Sequence, residues 1–149
     1  MPPSLIYLRF DDVIEAHASM LRVSGGLPGI RDAGQLESIL FHVQNDDYYP
    51  TISHKASHVY YAICKGHCFN DGNKRTALVA TAQFFSLNGY DYIADEFIVK
   101  MENVVVAVAD NRINKELLHK IIVSMIAMED DSEELKLAIY EAMAGVMET

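Results

Sequence analysis

ALVATAQFFSL, residues 77–87, carries no charge and is almost wholly apolar. A helix that is hydrophobic on every side has no face to give to water, so it belongs in the middle of a bundle. Asn88-Gly89 supplies its stop. The rest of the fold is read outward from this central helix.

Downstream, YDYIAD (residues 90–95) reads as a short connection, and Asp95 as the cap of a helix running to about Val108. Further helices are predicted from Asn114 to about Met128 and from Ser132 to about Met147. Upstream, Ser53 is placed to cap a helix on which Ala56, Val59, Tyr60, Ile63 and Cys64 share one face. NDDYYPTI, residues 45–52, reads as a loop or small hairpin, because Pro50 forbids a central strand. Asp32 with Gln35 makes a capping-box pattern ahead of Leu36, Ile39, Leu40 and Val43. LPGIRD before it is a turn. Asp11 or Asp12 caps a first helix carrying Val13, Ile14, Ala16, Met20 and Leu21, which Gly25-Gly26 ends, and Ile6 to Phe10 forms a short extended segment. These patterns predict an all-α fold, with at most a small β-hairpin. Residues 1–149 are expected to form a single domain, of which residues 129–149 are a helical extension.

A chain of 149 residues, half of them hydrophobic, is long enough for one core. At that size roughly 70% of the unfolded surface is buried. No run approaches the ~20 apolar residues of a membrane span. MPPSLIYLRFDD lacks a basic segment followed by an apolar one, so the expected location is cytoplasmic. Twelve Lys and Arg against 21 Asp and Glu leave a net charge of −9, which repels nucleic acid and anionic membrane unless a local patch overrides it. The two cysteines, Cys64 and Cys68, are read as small packing residues.

The exception to the acidic balance is local. Three of the twelve cations, Lys65, Lys74 and Arg75, lie within eleven residues of one another, just before and within HCFNDGNKR, residues 67–75, immediately ahead of the central helix. The first backbone N–H groups of a helix have no helical partner, and its dipole is positive there, so an anion is favoured. Gly72 lets backbone approach a ligand closely. Asn73 can hydrogen-bond phosphate oxygens or fix the loop, and Lys74 and Arg75 add charge. Asp71 would weaken anion binding if it acted alone. It makes sense as a ligand for Mg²⁺, which prefers carboxylate together with phosphate oxygens. His67 can take a proton from a hydroxyl that attacks phosphorus, and Phe69 anchors the loop to the core. Taken singly, the histidine, the Asp-Gly-Asn turn and the Lys-Arg pair are commonplace. Their joint arrangement describes a phosphate cradle. It is not a P-loop, because the glycine spacing is one too long and Asn73 intervenes.

HCFNDGNKR resembles the Fic/Doc signature H-x-F-x-[DE]-[AG]-N-[GK]-R, with every specified position met. Lys74 stands where Fic proteins usually have glycine, so the chain is more similar to the Doc, or death-on-curing, branch. The resemblance extends through GGLPGIRDAGQLES upstream and NGYDY downstream and covers about residues 5–125. It implies the helical Fic fold, ATP as substrate with Mg²⁺, His67 as catalytic base and Asp71 as metal holder. Gly72, Asn73, Lys74 and Arg75 would bind phosphates. It further implies a toxin of a toxin–antitoxin pair, transferring the γ-phosphate to a Ser/Thr hydroxyl of elongation factor Tu. An antitoxin of Phd type would bind in a groove of the toxin. The rival within the same fold is AMP transfer to a protein hydroxyl. The rival from a different functional class is a catalytically idle Fic-fold binding module, against which the intact His67 and Asp71 stand. The self-inhibitory motif [ST]-x-x-x-E-[GN] is absent, since Ser124 and Glu129 are one residue too far apart.

Tyr48 and Tyr49 lie where the family places a flap that holds the target segment. They could contact target, or they could cover the core beside a proline turn. His54 and His58, four apart, read as a helix face rather than a metal pair. His17, His42 and His119 have no sequence context that singles them out.

Overall fold

Seven helices form among residues 4–145, the part of the chain that the computed structural model describes. They are α1 (Phe10–Ser24), α2 (Ala33–His42), α3 (Ile52–Lys65), α4 (Asn73–Leu87), α5 (Asp91–Ala109), α6 (Lys115–Ile126) and α7 (Glu133–Met143). The fold is all-α. As the apolar run requires, α4 is the central element, packed against α1, α3 and α5. Thr76, Ala77, Leu78, Ala80, Thr81, Ala82, Phe84 and Phe85 are all buried along it. Small residues on α4 let its neighbours approach, Phe85 fills the space toward Phe97 and Tyr90, and Phe84 packs on Tyr7. A buried hydrogen bond ties α3 to α5, from the Tyr60 hydroxyl to the Met101 carbonyl at 2.9 Å.

Asp32 caps α2 as expected, and Asn114 and Ser132, expected as the starts of their helices, prove to be the caps of α6 and α7; each accepts the N–H of the third residue beyond. Others differ, each for a local reason. Helix α1 starts at Phe10, and Asp12 acts from inside it by accepting the Arg9 N–H at 2.8 Å. Thr51, not Ser53, caps α3 by accepting the His54 N–H. Helix α5 begins at Asp91 rather than beyond Asp95, so YDYIAD is largely its first turn. The buried stripe Ile93, Phe97, Met101, Val104, Val105 and Val108 extends one turn further back than the expected cap allows.

Residues 45–51 form a turn, and the hairpin alternative is not realised. The Asn45 carbonyl and side chain accept the N–H groups of Tyr49 and Asp47, which curls the segment on itself. The buried ammonium of Lys55 pins it, donating to the Val43 carbonyl at 3.1 Å and to Asp46 at 2.8 Å. Helix α3 stops at Lys65, so Cys68 does not share a helix face with Cys64. Both thiols are free and buried, and burial pushes each up to about 11, as packing residues require.

Helix α7 lies on α5 and α6 with no fully buried residue. Leu135, Ile139 and Met143 pack partly against the core, and Arg112 donates to the Met143 carbonyl at 2.7 Å. The extension expected over residues 129–149 is therefore helical over Glu133–Met143, and Met147 lies outside the described residues.

Candidate active site

The loop between α3 and α4 is built from both ends. Gly66 closes α3, and Cys68 and Phe69 turn inward to full burial. His67, between Gly66 and Cys68, is left exposed with φ at +51°. Left-handed backbone at a residue with a Cβ costs about 1–2 kcal/mol, so the surrounding loop must hold it there.

That hold comes from the turn ahead of α2. Ile30 and Phe69 form an isolated antiparallel bridge, the one strand-like pairing among the described residues. The Cys68 carbonyl accepts the N–H groups of Arg31 and Asp32, and the Asn70 N–H donates to the Gly29 carbonyl. LPGIRD is thus a turn, as expected, and also half of the motif's support. The Asn73 side chain completes it by bonding both backbone groups of Phe69. Asn73 thus fixes the loop, the second of its two expected roles, with one amide N–H and its Oδ1. Its second amide N–H and its backbone N–H remain to meet an anion.

Asp71 is held with its charge in place. Its Oδ2 accepts the Leu27 N–H at 3.0 Å and its Oδ1 accepts the Gly72 N–H at 2.8 Å. These two bonds hold its carboxyl below the usual carboxylate range, with Arg75 and His17 adding to the effect. Gly26 makes the first bond possible, because a Cβ there would lie 2.7 Å from the Asp71 Oδ2. Gly72 caps α4 with φ at +78°. A Cβ on it would meet the Met20 Cε at 2.4 Å.

The result is a cleft of about 440 Å³, within the range that small-molecule sites occupy. His67, Asn70, Asp71, Gly72, Asn73, Lys74 and Arg75 of the motif line it, together with Cys64, Lys65 and Ala109. Three cations and one carboxylate therefore share one opening in a chain of net charge −9. Lys65 is tethered to the last turn of α5 through the Val108 carbonyl and to the turn after it through the Asn111 side chain. Arg75 is tethered to Ser24 at the end of α1. Lys74 is exposed.

The structure does not bring Tyr48 and Tyr49 into this cleft. Tyr48 is exposed, and Tyr49 stacks on His58 with ring centroids 4.2 Å apart. Tyr49, His58 and Tyr61 line a neighbouring groove that meets the cleft at Lys65. His54 stacks on His119, with ring centroids 4.1 Å apart. No group of three metal-binding side chains occurs among the described residues.

A family model for the Fic/DOC family matches residues 7–85, just over half of the chain. The chain belongs to the Fic/Doc family. Within the family it falls in the Doc branch. It is 39% identical over 82 residues to Protein kinase doc of Escherichia phage P1, a match covering 53% of this chain and 65% of that protein. It is 32% identical over 107 residues to Toxin Doc of Mycolicibacterium smegmatis, covering 69% of this chain and 80% of that protein. The first of these matches spans slightly less than two thirds of the relative's length.

Sequence reasoning missed His17. Its Nε2 lies 2.8 Å from the Asp71 carbonyl, and its ring stacks on Phe69 at 3.9 Å and 9°. The available signal was its place on the buried stripe of α1 with Val13 and Ala16. The partner is 54 positions away, where no periodicity reaches.

Proposed function

We propose that this Fic/Doc protein is a Doc-type toxin that transfers the γ-phosphate of ATP to a Ser/Thr hydroxyl of a target protein. The target proposed is elongation factor Tu, so that transfer arrests translation, and the restraint proposed is a Phd-type antitoxin. The observation that carries this reading is the single cleft joining His67, the ionised Asp71 and the cationic N-terminus of α4. Its geometry suits a phosphate chain lying across the helix terminus. The N–H groups of Asn73 and Lys74 have no partner within α4, and Lys74, Arg75 and Lys65 supply the charge.

The donor set at Asp71 fits Mg²⁺. Two backbone N–H groups take one lone pair from each carboxylate oxygen, leaving others free on a residue that lines the cleft, and no second acidic residue lines it among the described residues. A lone ionised carboxylate suits a cation that draws its remaining ligands from phosphate and water. Bound there, Mg²⁺ would neutralise charge on the transferring phosphoryl group.

His67 takes the hydroxyl proton as the target oxygen bonds to the γ-phosphorus. The bond from that phosphorus to the β–γ bridging oxygen breaks, and ADP leaves with the electron pair. An exposed histidine on the rim can reach a macromolecular hydroxyl, which a buried one could not. Lys74 puts a bulky cation where glycine would let backbone approach, which favours γ- over α-phosphate transfer.

The test in cells is induced expression in bacteria. The wild type is expected to stop growth with a collapse in protein synthesis, and His67→Ala to grow normally. Growth arrest by His67→Ala equal to that of the wild type would contradict the reading.

A further inference from the structure

His17 is 5% exposed, contributes nothing to the cleft wall, and yet touches the motif at two residues and borders a third. Its Nε2 is 2.8 Å from the Asp71 carbonyl oxygen. A carbonyl can only accept, so Nε2 must carry the proton. Its ring lies flat on Phe69, whose backbone is itself clamped by Asn73. Its Cδ2 would lie 3.7 Å from a Cβ on Gly72.

The carbonyl that His17 grips belongs to the peptide unit joining Asp71 to Gly72. That unit is planar and trans, so its C=O and N–H point in opposite directions. Its N–H end donates to the Asp71 Oδ1 at 2.8 Å. Fixing the oxygen end therefore fixes the direction of the N–H end, and with it one of the two bonds that aim the carboxylate. Gly72, without a Cβ and at φ +78°, offers little resistance to rotation of this plane.

We infer that His17 is a positioning residue: by hydrogen-bonding the Asp71 carbonyl it locks the Asp71–Gly72 peptide plane and so aims the Asp71 carboxylate into the cleft. The inference rests on the proposed role of Asp71 for its catalytic consequence, and on geometry alone for its mechanical one. His17 touches no reacting atom. Its effect reaches the site through one rigid peptide unit.

Two measurements test it, and the first needs neither nucleotide nor activity. Nitrogen-15 spectra of the wild-type imidazoles should show His17 protonated at Nε2, and an unprotonated Nε2 would overturn the inference. The second compares His17→Phe, which keeps the stack and loses the donor, with His17→Gln, which restores an N–H donor. In His17→Phe the Gly72 amide should exchange faster with solvent, and the Mg²⁺ concentration that half-saturates ATP binding should rise about tenfold or more. His17→Gln should recover most of both. Unchanged Gly72 exchange in His17→Phe would overturn the inference even where ATP binds normally. A wild type that binds no ATP would overturn the proposed function instead, and the imidazole and amide results would still decide the role of His17.

Discussion

Asn73 closes a ring on Phe69: its Nδ2 donates to the Phe69 carbonyl and its Oδ1 accepts the Phe69 N–H, each at 3.0 Å. The first residue of α4 thereby folds the loop before it back against its own helix. Asn73→Ala removes both bonds and leaves two partly buried backbone groups without partners. It should cost about 2 kcal/mol, read as a lower urea midpoint at unchanged slope. The account also expects phosphate transfer to fall by more than the stability loss explains, since His67 and Asp71 both ride on this loop.

Gly72 separates two constraints that usually act together. A Cβ there suffers the left-handed backbone and also meets the Met20 Cε, the movable end of a flexible side chain. Alanine is the other residue admitted by the family signature at this position, and it fits here only when Met20 swings aside. Gly72→Ala is expected to lower stability by about 1–2 kcal/mol. Adding Met20→Ala should relieve the contact but not the backbone cost, so the two changes will be non-additive in thermal unfolding. Strict additivity would show that the contact carries no weight.

His58 makes stability depend on acidity. Burial, then the charges of Lys115 and His42, push its imidazole down to about 4, from an ordinary value near 6.5. The neutral form is the one that stacks on Tyr49. Between these two values the unfolded chain binds the proton and the folded chain does not, so stability rises with pH across that window. The contribution is complete above pH 6.5 and is lost as pH falls toward 4. His58→Gln should flatten this limb of the urea-midpoint profile, and an unaltered limb would assign it to other groups.

The buried Tyr60 hydroxyl spans from α3 to the Met101 carbonyl of α5. Tyr60→Phe keeps the ring's packing against Phe97 and loses only this bond. It should cost about 1 kcal/mol and leave ATP binding unchanged, because neither group faces the cleft. An effect on binding would show that the α3–α5 contact is coupled to the site.

The elements legible in the sequence were those whose signal is local. The all-round apolar run placed α4 at the centre, Asp32 declared itself as a cap by its spacing to Gln35, and Asn114 and Ser132 marked the starts of their helices. The start of α5 was misread because Tyr90 offers no capping side chain, while Asp95, inside the helix, looks like one. The motif residues lining the cleft were legible because nine consecutive positions carry them. What reaches them from elsewhere was not: Ala109 joins the lining from the end of α5, and Leu27 and His17, which do not line it, reach Asp71 across 44 and 54 positions. The turn at residues 45–51 was ambiguous for a related reason. Its form depends on the buried ammonium of Lys55, which no local pattern reveals.

The most direct test of the account follows the phosphate itself. Purified wild type and His67→Ala are each incubated with a bacterial lysate, Mg²⁺ and ATP labelled at either the α or the γ position. The account predicts that label from γ alone reaches a protein of the size of elongation factor Tu, and that His67→Ala transfers none. Label from α on a target protein would make this an AMP transferase and contradict the role given to Lys74. Transfer by His67→Ala equal to the wild type would contradict the base assigned at the centre of the site.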